Sequence, residues 1–458
     1  MATITSPTYD PASTAAALAQ KYVAGSQQML TASTNQASAT VKGLNDLSSA
    51  LSAFQSSLNS LTGLNKSLFS QSASFSDTTV GTATASASAA PGSYSFVVEQ
   101  LATASQFAYS GLADGANTGK LTIKLGTGPG FQVDLTAANT DGNATLTVRE
   151  LAAAINGATG NTSLVSASVV TVDGNPQLVL SARNTGTDNK ISLDTSLVSG
   201  PLKAALDNTA NVKETVIAKD AIVWLGAQGS GTKIVQGSNT FSNIDGVKMT
   251  FNKTSATPVT LTVAADSSAT TTNVQAFVDA YNKLKSAVDA MVAPGDPASG
   301  KAGGVFSGDS GIRALQSRLV SLLRSTADGS LANYGIIGAR NGTLTLDNAR
   351  LTKGLAADPN GLDAMIGSAG GTTATGIAGK LDAYIKEWNN SINGQIKTRK
   401  EAVSKLQIDL TARQDLLDKR YDSAYQRYLL QFTELQNVQS RMTSNSSMFD
   451  ALFGNNKD

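Results

Sequence analysis

The stretch LNDLSSALSAFQSSLNSLTGLNKSL, residues 44–68, places Leu44, Leu47, Leu51, Phe54, Leu58 and Leu61 in alternating steps of three and four, then Leu68 after seven. Apolar residues recurring every 3.5 positions mark an a/d seam, which predicts a helix lying along a partner helix with a left-handed wrap. An amphipathic helix on a globular core is the alternative; the narrow stripe and its Ser, Asn and Gln flanks favour the coil. A helix this polar does not form alone, because most helical stability comes from the packing of its apolar face. It needs a partner.

The far end of the chain supplies one. Ile385, Trp388, Ile392 and Ile396 open a stripe that continues through Val403, Leu406, Leu410, Leu417, Ala424, Tyr428, Leu435, Val438 and Met442. Acid-before-base pairs four residues apart, Asp382/Lys386, Glu401/Lys405, Asp409/Arg413 and Asp415/Lys419, support this helix. Each contributes only ~0.2–0.5 kcal/mol. Unbroken from Lys380 to Phe453, it extends about 110 Å at 1.5 Å per residue, with Gly394 the natural place for a break. Proline placement agrees: none of the ten lies between residues 12 and 90 or after Pro359, so long helices are permitted at both ends.

The middle reads as sheet. Apolar residues alternate in Tyr94-Phe96-Val98, Leu121-Ile123-Leu125, Phe131-Val133-Leu135, Leu178-Leu180, Val247-Met249-Phe251 and Val259-Leu261-Val263, the period of strands with one buried face. Asp-Gly pairs at 114–115, 141–142, 173–174 and 245–246 mark turns. One helix interrupts near Val148 to Asn156. Thr272 to Val292 and Asp309 to Leu323 then read as helices, and Asn341-Gly342 as a hairpin turn leading into Leu344 and Leu346.

The expected fold is therefore α+β and multi-domain, a coiled-coil or helix-bundle stalk made by the terminal helices with β-rich head domains inserted between them. Residues 1–41 form a flexible N-terminal segment and 42–76 the N-terminal arm of the stalk. Residues 77–109 and 213–268 are the two parts of a β domain, and 110–212 an outer β domain inserted into it. Residues 269–430 form a helical stalk domain with a β-hairpin, and 431–458 a flexible C-terminal segment. In the stalk, Leu44, Leu47, Leu51, Phe54, Leu58 and Leu61 are expected to pack with Leu406, Leu410, Leu417, Tyr428 and Leu435.

Composition removes most chemistry. The 458 residues include no Cys and no His, which excludes disulfides, thiol nucleophiles, Cys or His zinc sites and imidazole triads. With 35 basic against 34 acidic side chains there is no cationic field for nucleic acid. No Walker A, dinucleotide-binding, HExxH or calcium-loop motif occurs; Asp173-Gly174-Asn175 is read as a plain turn, and Asp418 with Asp422 as solvated helix surface. An enzyme is not expected, nor a cofactor, a metal or membrane insertion. No Sec signal peptide is visible in MATITSPTYD. The two ends, 1–40 and 431–458, are weakly charged with scattered apolar residues, so they are expected to stay mobile until a partner orders them.

The ordered series of segments resembles the bacterial flagellar filament cap family, FliD or hook-associated protein 2. The resemblance rests on Tyr94-Ser-Phe-Val-Val-Glu-Gln-Leu-Ala, Ala221-Ile-Val-Trp, Ser242-Asn-Ile-Asp-Gly-Val, Val259-Thr-Leu-Thr-Val and Phe277-Val-Asp-Ala-Tyr-Asn-Lys-Leu. Gly308-Asp-Ser-Gly-Ile-Arg, Gly342-Thr-Leu-Thr-Leu-Asp and Tyr428-Leu-Leu-Gln-Phe-Thr-Glu-Leu continue it. It implies a ring homo-oligomer at the distal filament tip, outside the cell, which retains exported flagellin and promotes its folding and polymerisation for filament elongation and motility. The terminal residues Leu18, Val23, Leu30, Met442, Phe449, Leu452 and Phe453 would then reach flagellin or the hook–filament junction proteins. A cytoplasmic export chaperone would shield the C-terminal helix before flagellar type III secretion, and a chain without Cys suits export in the unfolded state. A surface adhesin whose head binds host mucin or glycans, and a filament or junction subunit, are the alternatives.

Overall fold

The computed structural model describes residues 10–324, 330–370 and 374–453, the side chains of Asp450 and Phe453 excepted. It divides into two compact units, Met1–Leu68 with Thr271–Asp458, and Phe69–Thr270. The chain opens with α1 (Pro11–Thr62), whose first turn is capped by Asp10: its carboxylate accepts the backbone N–H groups of Ala12 and Ser13. Pro11 sits where a helix has no use for an N–H. Residues 11–41, expected to be flexible, are continuous helix. Ala-rich sequence favours helix intrinsically, and Ala15, Ala19, Val23, Leu30 and Ala37 are buried one after another.

The second unit contains two cores. Its elements follow in order: β1 (Gln71–Phe75), β2 (Gly81–Ala85), β3 (Gly92–Gln100), β4 (Ala104–Tyr109), β5 (Thr118–Leu125), β6 (Phe131–Asp134), α2 (Leu135–Ala138) and α3 (Val148–Gly157). Then come β7 (Val165–Val172), β8 (Asn175–Thr185), β9 (Ile191–Asp194), β10 (Val198–Ser199), α4 (Pro201–Asp207), β11 (Val212–Val216) and β12 (Ala221–Leu225). β13 (Thr232–Gln236), β14 (Thr240–Ile244), β15 (Val247–Phe251) and β16 (Val259–Ala265) complete it. In the first core the sheet β1-β16-β3-β12-β13 and the sheet β14-β15-β2 enclose a cluster of Phe75, Phe96, Phe241 and Phe251, whose rings meet edge-on or tilted at 5.3–6.4 Å. The second core lies among β11-β4-β8-β7, the strands around β5, and α3. A capping box starts α3: Thr147 Oγ1 accepts the Glu150 N–H, and the Glu150 carboxylate accepts the Thr147 N–H.

Two expected boundaries move. β1, placed in the helical arm by a cut at 76, pairs with β16 along its whole length and buries Phe75 in the β core. Its sequence, QSASF, is too polar to read as a strand alone. The outer domain, expected at 110–212, begins earlier and ends later, because β4 pairs with β8 and β11 pairs with β4.

The remaining elements return to the helical unit: α5 (Ser267–Val292), α6 (Ser310–Arg324), the hairpin β17 (Ile336–Gly338) and β18 (Leu344–Leu346), α7 (Asn348–Ala357), α8 (Gly361–Ile366), α9 (Gly376–Asn389) and α10 (Gln395–Phe453). The apolar face predicted for α5, from Val274 through Phe277, Val278, Tyr281 and Leu284 to Val288, is fully buried. Tyr281 donates to the Gly342 carbonyl (3.2 Å), and Asn282 pairs with Leu344 through both its carbonyl and its amide, which seats the hairpin on α5. Gly342 itself has φ +82°, a value that favours glycine. The C-terminal stripe is two helices. Asn390–Gly394 separates α9 from α10, with Asn390 Oδ1 accepting the N–H groups of Ile392 and Asn393. Residues 431–453, expected to be flexible, continue α10, since neither proline nor glycine stops a helix there.

Candidate functional site: the paired terminal helices

α1 and α10 run antiparallel as a two-helix coil. Their register is fixed by Gln27 and Gln414, whose side-chain amides exchange hydrogen bonds of 3.0 and 3.1 Å, and farther out by Arg427, which lies over the Tyr22 ring at 5.9 Å. Val23, Leu30 and Ala37 pack with Leu410 and Leu417, with Val403 and Tyr421 alongside. Polar pairs at core positions of a coil cost stability but specify alignment, and the glutamine pair does this where the apolar side chains are small.

The seam differs from the expected one in two ways. Leu44, Leu47, Leu51, Phe54 and Leu58 are almost fully buried and Leu61 half so, but their partners are the bundle helices. Phe54 meets the Tyr281 ring of α5 edge-on at 6.4 Å, Ser48 donates to Asn389 of α9 at 2.6 Å, and Gln55 donates to Asp382 of α9 at 2.7 Å. The strong leucine heptad thus builds the bundle, while the coil uses the weaker pattern of residues 15–37. On α10, Leu410 and Leu417 are 5% and 6% exposed as expected, and Tyr428 is half-buried. Leu406 (45% exposed) and Leu435 are not in the seam. The inward positions are Val403, Gln407, Leu410, Gln414, Leu417, Tyr421, Ala424 and Tyr428. Two glutamines interrupt the apolar count, so a reading by hydrophobicity alone slips to Leu406. The unbroken three-four spacing of these positions was the available signal.

Of the terminal residues expected to await a partner, Val23 and Leu30 are consumed by the coil. Leu18 is exposed on the outer face of α1, and Met442, Phe449 and Leu452 are exposed on α10; the side chain of Phe453 lies outside the described residues. Extending the Gln27–Gln414 register places Pro11 opposite Leu430, so the last six turns of α10 run past the first residue of α1. Leu435, Val438, Met442, Met448 and Leu452 are all exposed there.

Charged side chains anchor the root of the coil. Arg399, in the second turn of α10, pairs with Asp309, the residue that caps α6 by accepting the N–H groups of Gly311 and Ile312, and its guanidinium lies 5.6 Å from the centre of Trp388. Burial pushes the Asp309 carboxyl up, but Arg399 and the two backbone N–H groups outweigh it and hold the group below the ordinary value of 3.8. Asp382, buried in α9, is met by Lys386 at 2.6 Å as well as by Gln55. Among the described residues no group of three carboxylates converges as a metal site would require, and no helix is long and apolar enough to cross a membrane.

Residues 8–105 match the model of the flagellar hook-associated protein 2 N-terminus, and residues 218–444 that of its C-terminus. The chain belongs to the flagellar hook-associated protein 2 family. It is 33% identical to the lateral flagellar hook-associated protein 2 of Vibrio parahaemolyticus over 80% of this chain and 83% of that protein. Flagellar hook-associated protein 2 of Escherichia coli K12 is 29% identical over 95% of each. The crystal structure of the flagellar cap protein FliD D1-D2-D3 domains from Escherichia coli matches with a TM-score of 0.62 at 27% identity, covering 79% of this chain and 99% of that one. As a member of this family the chain has the expected α+β, multi-domain fold, with terminal helices paired and β-rich domains inserted between them in sequence.

Proposed function

We propose that this chain is a flagellar filament cap: several copies form a ring at the distal tip, outside the cell, retain exported flagellin and promote its folding and polymerisation. The observation that carries the reading is the likeness, across nearly the whole of that structure, to the cap protein of Escherichia coli. Two features of this chain's own geometry support it. The exposed apolar stretch from Leu435 to Leu452, beyond the reach of α1, offers a helical surface for flagellin or for the hook–filament junction proteins. An export chaperone would cover the same stretch before secretion. In the outer part of the coil the buried residues are the small Ala15, Ala19 and Ala424, so that part opens and re-forms at low cost, as a cap that advances with the growing tip requires.

The test is deletion of residues 431–458 in the bacterium that carries the gene. Both units are expected to keep their cores, because among the described residues the deleted turns contribute none to them; the expected result is unpolymerised flagellin in the medium and loss of motility. Filaments of normal length would overturn the proposal. Mass measurement of the purified intact chain separates a cap from a filament subunit: one defined ring for the former, open polymers for the latter.

A further inference from the structure

β7 is the last strand of the sheet β11-β4-β8-β7, and its outward edge is half closed and half open. Val172 faces Asn175 across the Asp173–Gly174 turn, where both central residues have positive φ. The alternation of an antiparallel ladder then turns the backbone groups of Val165, Ala167, Val169 and Thr171 away from β8. Asn161 closes the first of these: its Nδ2 donates to the Val165 carbonyl (2.8 Å) and its Oδ1 accepts the Val165 N–H (2.9 Å). Asn156 closes Ala167 in the same way, at 2.7 and 2.8 Å. Among the described residues none bonds the outward N–H and C=O groups of Val169 and Thr171. Ser168–Val172 carries no charge, proline or bulge. Two other edges of this unit carry such devices: β13 has Lys233, and β11 has Lys213, Glu214 and a bulge.

We propose that this open half-edge docks a second copy of the chain, β7 pairing with β7 antiparallel about a two-fold axis through Val170. The occupant follows from the pattern of the edge. With Val170 opposite Val170, Val169 of each copy exchanges both its hydrogen bonds with Thr171 of the other, and all four open N–H groups meet all four open carbonyls. A shift of the centre to Val169 or Thr171 leaves half of them unmet. The side chains agree: Val170 and Val172 are 45% and 43% exposed on one face, and the pairing sets valine on valine and Val172 beside Ser168, with no charge to repel. The closed half of the edge limits the contact to five residues, so it is weak in isolation, and its two-fold symmetry joins copies from separate rings rather than neighbours within one. It is independent of the cap reading.

Because the chain has no Cys, single cysteines report the contact in the full-length protein. Cα atoms directly opposite at a non-hydrogen-bonded position lie about 4.5 Å apart, within disulfide reach. Val172 of one copy lies four residues from Val172 of the other, roughly 13 Å, and cannot bridge. Under mild oxidation Val170→Cys is expected to form disulfide dimers about tenfold or more faster than the equally exposed Val172→Cys. Adding Thr171→Pro removes an outward N–H while leaving the β8 ladder whole, and is expected to bring the Val170→Cys rate down to that of Val172→Cys. Equal rates at 170 and 172, or a rate at 170 that ignores Thr171→Pro, would overturn the proposal.

Discussion

Replacing Leu410 by alanine, with Leu406→Ala beside it, asks which face of α10 forms the coil. Leu410 is 5% exposed and packs among Val23, Leu30, Ala37 and Leu417; Leu406, one turn earlier, is 45% exposed. Truncating a buried leucine costs 2–5 kcal/mol depending on how far its surroundings collapse. A two-helix seam is open to water on both sides and collapses readily, so about 2–3 kcal/mol is expected for Leu410→Ala. For Leu406→Ala the loss should stay below about 0.5 kcal/mol, since surface changes seldom exceed that. The cost falls on the coil rather than on the bundle, because the described residues clustered with Leu410 all lie on α1 and α10. Native-state hydrogen exchange reads such local opening directly: amides of residues 23–37 should exchange about 30–150-fold faster in Leu410→Ala, a tenfold change for each 1.4 kcal/mol. Amides of the buried face of α5 should not change. If Leu406→Ala opened the same amides as far, the seam assignment and the antiparallel register built on it would both be wrong.

Two further outcomes follow from single residues. Gly43 lies where α1 meets the bundle, and an added Cβ would come within 2.6 Å of Val305 and 2.9 Å of the Phe306 ring. Gly43→Ala should therefore lower stability in urea by about 1 kcal/mol, the overpacking exceeding the helix gain of roughly 1 kcal/mol; a stabilised variant would refute the close approach. The Glu150 carboxyl is pulled from 4.5 to about 2, first by the Thr147 backbone N–H, then by the Thr140 N–H and the Thr147 hydroxyl. A carboxyl whose folded value is depressed contributes stability that is present above 4.5 and lost as pH falls through about 2. Glu150→Gln should thus be less stable than the parent at pH 6, with the gap closing on acidification, measured by urea unfolding. A gap constant with pH would show that the capping box does not act through charge.

Residues legible from the chain alone were those whose partners hardly matter. The alternating runs at Tyr94, Leu121, Val247 and Val259 became β3, β5, β15 and β16, because period-two burial is a local property of a strand. The face of α5 is equally local. β1 was missed because its role depends on a strand nearly two hundred residues away, and Leu406 was misplaced because two glutamines occupy inward positions that hydrophobicity does not count. Asn156 and Asn161, which close part of the β7 edge, carry no signal in their own neighbourhood.

The sequence by itself determined the class of molecule. Without Cys and His it could host few reactions, and proline-free ends with three-four apolar spacing committed it to long paired helices around a sheet-forming middle. Which helix pairs with which was decided only in three dimensions. A heptad declares that a helix has a buried stripe, but every leucine stripe fits many partners, and the choice rests on hydrogen bonds between residues hundreds of positions apart, such as Gln27 with Gln414 and Gln55 with Asp382. Burial is a local demand; partnership is satisfied by geometry that no single stretch of chain contains.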